Sequence, residues 1–148
     1  MKTKIVSFDV DGTLIRWEWN KKFEAPMIDK EPNIEIINKM RKYHEDGWKV
    51  IIVTSRDAQD DDNLYKSYIF DGADDRIFIS IRAFAEIHNL PIKKEDIHFT
   101  NGRLKGPTLQ MLDVHIHFDD DRDEIESCNE HGIYGILVRD EQNGYKEI

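Results

Sequence analysis

Two carboxylates, Asp9 and Asp11, stand at alternate positions just past an apolar run, Ile5-Val6-Ser7-Phe8, and Gly12 and Thr13 follow them at once. The apolar run reads as a short buried strand. Gly12 lets the backbone turn sharply after it, because glycine takes a positive φ at no steric cost. In open α/β sheets ligands bind outside the carboxyl ends of the strands. The peptide therefore predicts one carboxylate, Asp9, at the mouth of a site and a second, Asp11, beside it. Two acids so placed can supply a nucleophile, a proton donor or cation ligands.

Three later groups follow apolar runs in the same way. Trp48-Lys49-Val50-Ile51-Ile52-Val53 ends in Thr54-Ser55-Arg56. Ile97-His98-Phe99-Thr100 leads to a loop, Asn101 to Pro107, that carries Arg103 and Lys105. Val114-His115-Ile116-His117-Phe118 ends in Asp119-Asp120-Asp121-Arg122-Asp123. Singly, each has a bland reading: Thr54 as a strand-end turn residue, Lys105 as a surface lysine, the acids as a helix cap. Their order on one strand pattern is what argues for a shared site, since a motif is tested by its structural context.

Phe8 to Thr13 resembles motif I of the haloacid dehalogenase (HAD) superfamily, written Asp-x-Asp-Gly-Thr in its phosphatase branch. Thr54, Lys105 and the cluster from Asp119 resemble motifs II, III and IV, so the resemblance spans Asp9 to Asp123. It implies a phosphomonoesterase that works through an aspartyl-phosphate. Asp9 would be the nucleophile. Asp11 would protonate the leaving oxygen and then deprotonate the attacking water. A carboxylate at position 11 marks phosphatases and phosphotransferases rather than dehalogenases. Lys105 would neutralise phosphate oxygens and the nucleophile. The Thr54 hydroxyl, Ser55 and the amides after Asp9, Gly12 among them, would donate to the phosphoryl group.

Carboxylates facing a phosphate repel it unless a cation intervenes, and Mg²⁺ is the hard, oxygen-seeking ion such a set suits. Asp9 and Asp119 are the best ligands, aided by the Asp11 carbonyl. Asp120 is an alternate or outer ligand and Asp123 a third possibility. Arg56 and Arg103 are the best groups for a second anionic or planar part of the substrate.

The elements that must position these groups alternate. Asn33 to Glu45 predicts a helix with Asn33 as N-cap and Gly47 as its stop. Asp57 to Asp62 reads as a solvated acidic cap, rather than a metal site, before a helix over 63–70. The stretch from Asp74 to Leu90 reads as a helix, with Arg76 to Ile79 as an alternative strand. Pro107 opens a helix over 108–112. Asp123 to His131 predicts a helix ended by Gly132, Tyr134 to Val138 a last strand, and Glu141 to Ile148 a polar tail. The pattern predicts one doubly wound parallel α/β sheet with right-handed crossovers, a Rossmann-like core in a single domain over 1–148. The intervals from Asp9 to Thr54 and from Thr54 to Lys105 leave no room for a large cap. The resemblance places a β-hairpin flap after motif I. There Trp17 and Trp19 alternate with Glu18; packing of the flap is favoured over stacking on a substrate ring.

His115 and His117 share one strand face at a spacing that can bind zinc, but bonded core histidines are favoured. Cys128 reads as inert packing. One cysteine among 148 residues excludes an intramolecular disulfide and suits a reducing compartment. No signal-peptide core or membrane-length apolar run is visible, which points to a soluble, cytoplasmic protein. A formal charge of −9 disfavours extensive nucleic-acid contact and anionic membranes. The leading substrate is a small phosphorylated metabolite, nucleotide-like or sugar-like. The capless build and Thr54-Ser55-Arg56 are also similar to the phosphatase domain of polynucleotide kinase/phosphatase proteins, which implies a polynucleotide 3′-end phosphatase as the alternative. A non-hydrolytic phosphate- or metal-binding relative is the reading from another class.

Overall fold

The computed structural model describes residues 2–20, 25–71 and 79–138 of the chain. Five parallel strands form one sheet: β1 (Ile5–Phe8), β4 (Lys49–Thr54), β5 (Ile97–Phe99), β6 (Ile116–Asp119) and β7 (Tyr134–Leu137). Their spatial order is β5-β4-β1-β6-β7. The chain thus builds outward from β1 on one side, then returns to the other side of β1 for β6 and β7. That reversal puts the topological switch point, the usual place for a ligand crevice, between β1 and β6.

Between β1 and the first long helix lies an antiparallel hairpin, β2 (Ile15–Asn20) with β3 (Ala25–Pro32). The hairpin expected after motif I is therefore present, while the Trp17 and Trp19 side chains lie outside the described residues. Helices α1 (Ile34–Glu45), α2 (Ala58–Asp71), α3 (Ile81–Ile87), α4 (Gly106–Met111) and α5 (Arg122–Glu130) complete the fold. No large cap interrupts it among the described residues. The stretch expected to be helical from Asp74 begins later, at Ile81, where the Ser80 hydroxyl caps α3 by accepting from Ala83 N. The alternative strand at 76–79 falls almost wholly outside the described residues, as does the polar tail.

Strand alternation divides the core in two. Val6, Phe8, Val50, Ile52 and Phe118 pack with Ile36, Ile37 and Met40 of α1 and with Ile81 and Phe84 of α3. Ile51 and Val53 point the other way and pack with Leu109 of α4 and Cys128 of α5. Helices thus cover both faces, as continuous apolar strands require. On the first face Phe8 and Phe118 stack with centroids 4.7 Å apart. Each is the residue before a key acid, so this contact fixes the spacing of the β1 and β6 ends. No helix among the described residues is long and apolar enough to cross a membrane.

Candidate active site at the switch point

Ser7 pairs in register with His117, and Asp9 N–H donates to Phe118 O at 2.9 Å, extending the ladder past β1. With period-2 alternation, Ser7 and Asp9 then share the sheet face of His117 and Asp119. Gly12, at φ +87°, turns the chain back. Its N–H donates to Ile15 O, and the amides of Thr13, Leu14 and Ile15 all bond to Val10 O. Gly12 therefore serves the turn: its amide, expected to meet a phosphoryl oxygen, is already engaged inside the loop.

Lys105 enters from the start of α4. It is only 2% exposed, with Nζ 2.8 Å from Asp9 Oδ1 and 2.6 Å from Asp119 Oδ2. Thr13 Oγ1 donates to the other Asp9 oxygen at 3.1 Å. Two bonds from α5 hold the base of this lysine. Glu124 Oε1 accepts from Lys105 N at 2.9 Å, and Ser127 Oγ accepts from Gly106 N at 3.0 Å. Burial alone would pull the Lys105 ammonium down, but Asp9 and Asp119 outweigh it and hold the group firmly charged.

The two acids split. Burial raises the Asp9 carboxyl well above the ordinary carboxylate range, Asp119 and Asp120 add to that, and Lys105 offsets only part of it. Burial pushes Asp119 up too, but the bond from His117 and the Lys105 charge bring it down to about 2. His117 is fully buried and pulled down by that burial, so it is neutral at physiological pH. Its Nε2 lies 2.8 Å from Asp119 Oδ2, and its Nδ1 is 2.6 Å from Ser7 Oγ. An ionised Asp119 only accepts, which assigns the proton to Nε2 and leaves Nδ1 to accept from Ser7. His117 is thus the bonded core histidine expected from sequence. Exposed His115 points elsewhere, its Nδ1 accepting from Ile5 N.

Carboxylate oxygens of Asp9, Asp119 and Asp120 all lie within 4.8 Å of one another. That trio narrows the register left open by the sequence. Asp123 lines the cleft wall outside it, and Asp121 caps α5 by accepting from Asp123 N at 2.9 Å. All-oxygen, anionic donors on two buried acids and one partly buried acid fit a hard divalent cation. The Asp11 carboxylate does not join the trio. Arg56 clasps it from Nε at 2.8 Å and from Nη2 at 2.6 Å. Arg56, expected to meet substrate, is instead committed to Asp11 and Asp61.

The cleft has a volume of about 680 Å³ and is lined by Asp9, Asp11, Ser55, Lys105, the acids from Asp119 to Glu124, and Arg122. Ser55 is exposed at its rim. Thr54 lies buried beneath, its hydroxyl accepting from Arg56 N at 3.2 Å. Exposed Arg103 faces a neighbouring groove of about 480 Å³ with Phe99, Asn101, Leu104, Pro107 and Thr108. Gly102 N bonds to Ser55 O at 2.8 Å and so ties the Arg103 loop to the cleft rim.

Sequence reading missed Asp61 and Glu124. Asp61 was expected as part of a solvated cap, but it is 4% exposed and bonded to Arg56 and Ile81 N, while Asp57 does the capping of α2 through Gln59 N and Asp60 N. Burial raises the carboxyls of both Asp61 and Glu124 against the bonds they accept. Nothing in a run of four acids marks the one that turns inward. Cys128 is buried packing, its thiol pushed up to about 12 by burial and then by Asp119 and Glu124.

No family model matches the chain, and no curated protein does. Among solved structures, a hypothetical protein, XCC2798 from Xanthomonas campestris, is similar at 15% identity with a TM-score of 0.46; the match covers 89% of this chain and 62% of that one. The chain therefore spans less than two thirds of that neighbour's length.

Proposed function

We propose that the chain is a Mg²⁺-dependent phosphomonoesterase of the HAD type acting on a small phosphorylated metabolite, nucleotide-like or sugar-like. The observation that carries this reading is the buried Asp9–Lys105–Asp119 set with Asp120 within 4.8 Å, at the switch point of the sheet. Seven carboxylates line the cleft against two cations, so a phosphate cannot approach on the protein's charges alone. Asp9, Asp119 and Asp120 would hold Mg²⁺, which supplies the positive charge that lets an anionic substrate meet a carboxylate.

The chain's own groups divide the rest. An Asp9 oxygen attacks phosphorus and the bond to the leaving oxygen breaks, giving an aspartyl-phosphate. Asp11 gives its proton to that oxygen. A water then attacks phosphorus, Asp11 takes the proton released, and inorganic phosphate leaves with the Asp9 carboxylate restored. Lys105 holds Asp9 in place and neutralises it. The Arg56 clasp uses one lone pair of each Asp11 oxygen and leaves the other open toward the cleft, so Asp11 can exchange a proton while it is held.

The test is phosphate release from nucleotides, sugar phosphates and 3′-phosphorylated oligonucleotides, with Mg²⁺ and with chelator. Mg²⁺-dependent release that disappears in a folded Asp9→Asn variant is the expected result. Release confined to oligonucleotides would move the assignment to a polynucleotide end phosphatase. No release from any substrate, with phosphate binding intact, would replace the enzyme with a non-hydrolytic relative.

A further inference from the structure

Asp61 is a buried acid that lines no part of the cleft, yet it is one residue removed from Asp11. Its Oδ1 accepts from Arg56 Nη1 at 3.0 Å and from Ile81 N at 2.9 Å, and its Oδ2 lies 3.5 Å from the Ser80 hydroxyl. Arg56 Nη1 also donates to Ile79 O at 2.6 Å. The opposite edge of the same guanidinium, Nε and Nη2, is the one that clasps Asp11. The guanidinium is planar, so fixing Nη1 fixes the direction of the Nε and Nη2 bonds. We propose that Asp61 is a positioning residue: it locks the far side of Arg56 and so aims the Asp11 carboxylate at the cleft.

The physical need is clear from the surroundings. Without Asp61, Arg56 Nη1 loses its charged acceptor and keeps the neutral Ile79 O. A carboxylate holds the guanidinium more firmly than a carbonyl does, before substrate arrives. The same anchor joins α2 to the 79–81 segment that opens α3. A purely structural reading makes Asp61 only a staple between these two helices, and the test must separate the two roles.

The kinetic consequence rests on the phosphatase reading; the geometric one does not. Asp61→Asn keeps an oxygen for Ile81 N and a polar group for Ser80, so the staple survives while the hold on Arg56 Nη1 falls from a charged to a neutral hydrogen bond. The expected result is a kcat lower by about 10- to 100-fold, the size of loss a slightly misplaced reacting group produces. KM and the melting temperature stay near wild type. Arg56→Lys, which has one ammonium in place of two opposed guanidinium edges, loses as much, and the double variant is no worse than Arg56→Lys alone. The geometric readout is the NMR coupling across the hydrogen bond from Arg56 Nε to the Asp11 carboxyl carbon. It is expected in the wild type and weakened in Asp61→Asn. An intact coupling in Asp61→Asn, or losses that multiply in the double variant, would overturn the proposal. A wild-type chain that releases no phosphate sinks the phosphatase reading, and the coupling then decides on Asp61 alone.

Discussion

His117 Nε2 lies 2.8 Å from Asp119 Oδ2, two residues further along the same strand, and the Lys105 ammonium shares that oxygen at 2.6 Å. A neutral donor and a charged donor thus converge on one carboxylate oxygen, which leaves Oδ1 to accept from Asp121 N. Ser7, opposite His117 in register, completes the chain from β1.

The pH dependence of the fold follows from His117. Burial lowers its proton affinity, Asp119 raises it and Lys105 lowers it again, with a net decrease. The native state therefore refuses a proton that the unfolded chain accepts below its ordinary value of about 6.5. Stability contributed by the neutral ring is present above that value and is lost as pH falls from it toward the lower folded value. Urea melts between pH 7.5 and 5 check this. Wild type should weaken toward acid, and His117→Gln, less stable at pH 7.5, should show a flatter acid limb. Parallel slopes for the two proteins would remove His117 from the account.

Lys105 is the buried cation that makes the acid pair tolerable. Lys105→Met keeps the length of the side chain and leaves Asp9 and Asp119 facing each other without compensation. Breaking a buried ion pair by removing one partner costs about 3–5 kcal/mol, so this variant should be strongly destabilised at pH 7. The deficit should shrink toward pH 4, where Asp9, raised by its burial, takes up a proton before an unfolded aspartate does. Denaturant unfolding at the two pH values measures both numbers, and a deficit equal at both would show that lost packing rather than lost charge is responsible.

Gly106 is needed for a close approach rather than for a turn. A Cβ there would collide with the Ser127 hydroxyl and the His131 ring, and would come within 2.7 Å of Ser127 O. The α4–α5 contact would have to open. Because Lys105 N and Gly106 N are both bonded to α5, the lysine would move with it. Gly106→Ala should destabilise by about 1–3 kcal/mol, the usual effect of overpacking. It should lower phosphate release further than stability alone explains. A variant with full activity per folded molecule would separate the helix contact from the placement of Lys105.

The strands were legible because apolar runs of four to six residues ended each time in a polar group. Phe8 to Asp9, Val53 to Thr54 and Phe118 to Asp119 all mark strand ends in the structure within a residue. The same punctuation marked Asp9 and Asp119, whereas Lys105, in the loop after β5, was legible only through the resemblance to motif III. What stayed hidden depends on long-range pairing. Arg56 was assigned to substrate because it follows Thr54, but its partners Asp11 and Asp61 lie 45 positions before it and 5 after it. Ser7 and His117 meet across 110 positions. Composition of a segment cannot reveal such partners; only the β1–β6 register and the α2–β4 junction do.

Asp9 joins stability to function in opposite directions. Its folded proton affinity is raised, so its ionised form is a net cost to the cation-free fold, and that cost grows as pH rises above the unfolded value of about 3.9. In chelator at pH 7, Asp9→Asn should therefore raise the melting temperature while abolishing phosphate release, with little gain at pH 4. Mg²⁺ should reverse the ranking. Held by Asp9, Asp119 and Asp120, the ion would stabilise the wild type by about 2.7 kcal/mol at a hundredfold excess over its dissociation constant, and the variant by much less. Thermal melts of both proteins in chelator and in Mg²⁺ make four measurements that must agree. A variant that melts lower than wild type in chelator at pH 7 would mean that the Lys105 and Thr13 contacts to Asp9 outweigh its burial and the repulsion from Asp119.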